Sequence, residues 1–132
     1  MALLDAVGSI LQTAGVGTLA TNLFLSQMPD EPDVCVVVLE NQGTAPEYTF
    51  GASVTQVDRP RIRVVARAVA NDYVTAKTNI DAVRASLGAV RNQTLEGVTL
   101  MCVLDTTGSY PLEFDGEDRP LLGCDFAVWV DA

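Results

Sequence analysis

The chain has 132 residues, 48% of them hydrophobic and 19% charged, with a formal net charge of −9 and no histidine. That length makes one domain with enough interior for a core of its own, and the balance is that of an ordered globular protein. The acidity excludes a general nucleic-acid binder, and the lack of histidine removes Ser–His–Asp and Cys–His catalysis and most zinc sites.

The first predicted element is a helix over about residues 2–14. Leu3, Leu4, Val7, Ile10, Leu11 and Ala14 recur at steps of three and four, and Gly15 suits the left-handed position that ends a helix. A connector with Thr18, Thr21 and Asn22 leads through the apolar run Leu23–Leu25 to a turn-rich Pro/Asp segment at 28–33. Val34–Leu39 is an unbroken apolar run, which predicts a central strand covered on both faces. Residues 44–57 read as a strand pair, or a strand and loop, around Tyr48–Gly51; Pro60 then introduces a strand from Arg61 to about Ala68.

The second helix is predicted over about residues 72–87, capped by Asn71 or Asp72. Tyr73, Ala76, Ile80, Val83 and Leu87 lie on one face, and Gly88 closes it. Val98–Leu104 and Leu121–Val130 read as strands; in the second, Leu122, Cys124, Phe126, Val128 and Val130 alternate with the other face. Between them, 106–120 is a loop or extended hairpin carrying Glu113, Asp115, Glu117 and Asp118. This order predicts an α+β fold, a mixed, largely antiparallel sheet packed by two helices on one face.

Motifs for chemistry are weak. Gly15-Val-Gly-Thr-Leu-Ala20 has the spelling of a dinucleotide fingerprint, but it follows a helix where the motif must follow a strand and open one. Asp115-Gly-Glu-Asp118 lacks the alternating ligands and distal Glu of a calcium loop, so a solvated acidic loop is expected and no metal. No carboxylate pair is spaced for glycoside cleavage, and the chain is not expected to be an enzyme or to hold a cofactor. Cys35, Cys102 and Cys124 lack CxxC spacing and sit in apolar runs, which predicts buried free thiols in a reducing compartment. The start of the chain has no basic leader region and no apolar run reaches a membrane span, so Asn92-Gln-Thr94 is a chance glycosylation match.

Charge is segregated along the chain. Residues 1–58 contribute −7 without a single Lys or Arg, 59–91 contribute +5, and 92–132 contribute −7. Strand alternation places Arg59, Arg61, Arg63 and Arg67 on one side, interrupted only by Val65. They are candidates for a subunit interface, since the guanidinium fork binds carboxylates bidentately; ion pairs within the chain, to Glu40, Glu47 or Asp58, are the competing expectation.

One resemblance covers nearly the whole chain. The order Asn22-Leu-Phe, Met28-Pro-Asp, Pro46-Glu-Tyr-Thr-Phe-Gly51, Asp58-Arg-Pro-Arg-Ile-Arg63, Asp72-Tyr73 and Cys124-Asp-Phe-Ala-Val-Trp129 resembles the minor capsid, tail terminator (tail-to-head joining) proteins of long-tailed bacteriophages. The resemblance implies a virion protein of the phage neck, made in the bacterial cytoplasm, whose homohexameric ring caps the tail tube and meets the head connector. Its implied partners are itself, the tube protein and a head-side connector protein, with DNA passing unbound and no membrane involved. It supplies no residue-level site. Glu113, Asp115, Glu117 and Asp118 become candidates for the acidic partner of the arginine row or for the ring lumen. The loops 28–33 and 106–120 are expected to order on contact. A head-closure or tail-completion protein is the alternative within this class, and a small-ligand or carbohydrate-binding domain the alternative outside it.

Overall fold

The computed structural model describes residues 2–48, 55–112, 114 and 117–131, with backbone alone for 2, 42–48 and 55–57. Glu113, Asp115 and the predicted turn at Thr49–Gly51 lie outside the described residues. In chain order the elements are α1 (Ala2–Thr13), β1 (Leu23–Leu25), β2 (Cys35–Tyr48), β3 (Thr55–Arg67), α2 (Tyr73–Gly88), β4 (Arg91–Leu95), β5 (Val98–Asp105), β6 (Tyr110–Pro111) and β7 (Leu121–Asp131). They form one sheet in the order β1-β2-β3-β7-β5-β4, with β6 also paired to β7. Among the described strands β1 and β2 run parallel and the other ladders are antiparallel, giving the expected mixed α+β sheet.

Both helices pack on one face. Leu4, Val7, Ile10 and Leu11 of α1 and Ala76, Ile80, Val83 and Leu87 of α2 join Val36, Val38, Ile62, Val64, Leu122, Phe126 and Val128 of the sheet in a single core. The helix ends follow local chemistry. Val16 N–H bonds Leu11 O and Gly15 N–H bonds Gln12 O, a Schellman closure that needs the left-handed φ of +84° at Gly15. This accounts for the glycine spelling at 15–20, which is a helix stop. Asp72 caps α2, accepting from Thr75 N–H at 3.2 Å and Thr75 Oγ1 at 2.6 Å.

Several details differ from the sequence expectation. Ala14 follows α1 and is exposed, and Tyr73 opens α2 at 52% exposure, because each stripe extends one step past the turn that touches the sheet. β3 begins before Pro60, and the β2–β3 register shifts between Asn41 and Thr44, beside the residue that cannot donate to a ladder. Strand β4 has no apolar pattern to announce it; it hairpins to β5 through Glu96 and Gly97, both at positive φ as a two-residue turn demands.

Cys35 and Cys124 are buried as expected, whereas Cys102 is half-buried next to Trp129 in the ladder. Burial, then the Asp105 carboxylate beside it, pushes the Cys124 thiol up to about 12. The native state therefore favours the protonated thiol, and that contribution is lost as pH rises from about 9 toward 12. At neutral pH a thiol reagent should label Cys102 first, with Cys35 and Cys124 protected until urea unfolds the chain. Fast labelling of Cys124 in the native protein would contradict this packing.

Candidate assembly surface

The sheet face away from the helices divides into a covered end and an open end. At the covered end Cys35 stands opposite Arg67, and Val37 opposite Val65, in the β2–β3 ladder. All four are buried, which gives β2 its two covered faces there. The cover is built by arginines. Arg67, 3% exposed, sends Nε to Asp33 O at 3.0 Å and Nη2 to the carbonyls of Pro29, Asp30 and Pro32 at 2.8, 3.1 and 2.7 Å. Arg119 grips the same loop: Nη1 donates to Asp30 O and Asp33 Oδ1, and Nη2 to Asp30 Oδ1. It also pairs with Glu117 at 3.5 Å. Segment 28–33 is thus already tied within the subunit. Beside it, Tyr110 and Leu112 close over Gly123, where a Cβ would come within 3.2 Å of the tyrosine ring.

Arg63 marks the boundary between the two ends. It faces Asp125 directly across the β3–β7 ladder and forms a fork with Nε–Oδ1 at 2.8 Å and Nη2–Oδ2 at 3.3 Å. Tyr110 Oη donates to the same carboxylate at 2.9 Å, and the Arg63 guanidinium lies 5.9 Å from the Tyr110 ring centre. The Arg63 fork, with Tyr110, holds the Asp125 carboxyl below the usual carboxylate range despite burial. A depressed native pKa contributes stability above the unfolded value of about 3.9, lost as pH falls through the lower native value. Arg63→Gln should therefore flatten the acid limb of a urea-midpoint-against-pH curve; an unchanged limb would show that the fork adds nothing.

The open end carries the other arginines. Arg59 lies over the Trp129 ring, 5.6 Å from its centre. Arg61 is exposed, and its ladder neighbours are Asn41 on one side and Ala127 on the other; beyond Ala127 comes Leu104, 48% exposed. Alternation thus places the arginine row on one side, but its members differ: Arg67 is interior, Arg63 is paired, Arg59 is stacked, and Arg61 reaches solvent. Asp125 is the acid that meets Arg63 in a side-chain ion pair; the side chain of Glu47 lies outside the described residues. Glu117 and Asp118 are exposed at the far end, past the covered loop. Sequence reasoning missed Arg119, Tyr110 and Asp125, whose roles depend on contacts between residues distant in the chain.

Among the described residues two open hollows border the sheet. One of about 510 Å³ lies beside edge strand β1, lined by Leu19, Leu23, Phe24, Leu25 and Pro29 among others. One of about 420 Å³ lies beside the start of α2, lined by Tyr73, Phe114, Glu117, Asp118 and Pro120 with Ala70 and Asn71. Among the described residues no three His, Cys, Asp or Glu side chains are grouped to hold a metal ion. No helix among the described residues is long and apolar enough to cross a membrane.

The fold and this surface define an α+β subunit whose polar side chains tie loops to the sheet and line an exposed two-signed surface. The chain belongs to the bacteriophage tail terminator family: the model for the family described as "Bacteriophage tail terminator protein" matches residues 10–131. It is a structural protein of the phage tail and a component of the virion. The fold is similar to that of a chain in the solved structure "Virion of native gene transfer agent (GTA) particle", with a TM-score of 0.70 and 18% sequence identity, over 99% of this chain and 96% of that one. No curated protein matches by sequence.

Proposed function

We propose that this subunit assembles into a closed, homohexameric ring that caps the tail tube, ends its polymerisation and joins it to the connector of the head. The match to the tail terminator family over residues 10–131 carries this reading. The distribution of charge supports it. A cyclic ring needs a heterologous contact in which one patch meets a different patch of the next copy. Here Arg59, Arg61 and Arg63 lie on the sheet, and Glu117 and Asp118 beyond its far end. Opposite potentials also fix register between subunits. With a net charge of −9, the ring wall repels DNA, which passes without a specific site.

Electron microscopy of particles made without this protein tests the reading. Tails of uncontrolled length, unattached to heads, are the expected result. Tails of normal length that merely fail to join would instead indicate a head-closure or tail-completion protein. Normal, joined tails would refute both readings.

A further inference from the structure

Two surfaces with exposed apolar side chains, one across the middle of β3 and β7 and one past the end of β3 at the start of α2, carry opposite charge. The first is the row Arg61–Ala127–Leu104, with Leu104 48% exposed and the Arg59–Trp129 stack beside it. The second is the hollow at the start of α2, where Phe114 is 67% and Tyr73 52% exposed and Glu117 and Asp118 form an acidic rim. Exposed aromatic side chains gathered at an acidic-rimmed hollow fit a contact surface, and arginine and aromatic residues are the usual anchors of one.

We propose that the Tyr73–Phe114 hollow is the socket for the neighbouring copy of this chain, receiving its Leu104 against the two rings and its Arg61 against Glu117 and Asp118. The inference rests on the ring reading and deepens it. The occupant follows from complementarity and from distance. Arg61 is exposed and has no ion-pair partner among the described residues, and in the socket of its own chain Asp118 is exposed beside Glu117, which also meets Arg119. The two patches cannot satisfy each other within one subunit. Ala68, just past the end of β3 and bonded through its N–H to Pro120 O at the socket, lies seven residues beyond Arg61, roughly 23 Å in extended chain. A second molecule closes the gap, and because the two patches differ, the contact repeats head to tail.

Cross-linking within assembled particles tests this. In a Cys102→Ser background, Arg61→Cys and Asp118→Cys are combined, the particles are treated with a short bismaleimide, and the products are separated under denaturing conditions. A ladder of multimers is expected from the double variant and none from either single variant. Dimers alone would keep the contact but overturn the ring, since the two patches would then pair reciprocally. Normal particles with no ladder would overturn the contact and leave the ring standing. A charge exchange gives an independent reading. Arg61→Glu and Asp118→Lys should each weaken subunit association about tenfold or more, and together recover most of the loss. Two single losses without mutual rescue would mean that the residues face different partners and would overturn the pairing.

Discussion

Replacing Arg67 with alanine is expected to destabilise the subunit by about 3 kcal/mol and lower its melting temperature by roughly 10 °C. The cause is geometric. One guanidinium serves four carbonyls, those of Pro29, Asp30, Pro32 and Asp33, all within 3.1 Å. The residue itself is 3% exposed, so alanine leaves acceptors facing a void beside Cys35. The loop then has Arg119 to hold it, and Arg119 reaches only the Asp30 and Asp33 positions of that segment. Arg67→Lys should recover only a small part of the loss, because a point ammonium cannot address carbonyls spaced for a planar fork. Urea midpoints of the three proteins check the order. If Arg67→Lys matches the parent, the fork geometry is not what holds the loop.

Arg67 also shows where sequence reading stops. Alternation put Arg59, Arg61, Arg63 and Arg67 on one side of a strand because side-chain direction is a local property. What each one meets is not local: Arg63 finds Asp125 across β7, and Arg67 finds a loop more than thirty positions earlier in the chain. A run of like residues therefore resolved into four different environments. The core was legible for the opposite reason. The stripes at Leu4–Leu11 and Ala76–Leu87 and the alternation from Leu122 to Val128 each declare their buried face through spacing alone, and all three enter one cluster. β4 stayed hidden because an exposed edge strand reading Arg-Asn-Gln-Thr-Leu has no face to bury. Its only local sign was the Glu96-Gly97 pair that turns it into β5. The socket was half legible: the acids of the 113–118 segment stood out as charge, but nothing in the spacing brought Phe114 beside Tyr73.

Two phenylalanines twelve positions apart should respond oppositely to the same substitution. Phe126 is 1% exposed, stands opposite Ile62 on β3 and Asp105 on β5, and is among the largest fully buried side chains. Phe126→Ala removes that ring from the middle of the sheet and leaves a cavity under the helices, at a cost of about 3–5 kcal/mol. Phe114, 67% exposed, has little packing to lose, so Phe114→Ala should change stability by no more than about 0.5 kcal/mol. Subunit association should separate the pair. At a temperature where the Phe126→Ala subunits remain folded, they should still associate, since every group of the proposed contact is intact. The Phe114→Ala subunits should fold as the parent does and lose association, because an apolar anchor at the centre of a contact outweighs the rim around it. Thermal melts and association measurements on both variants form a two-by-two comparison. If Phe114→Ala lowered the melting point while leaving association unchanged, the ring would belong to the fold of its own subunit and the socket would need another anchor.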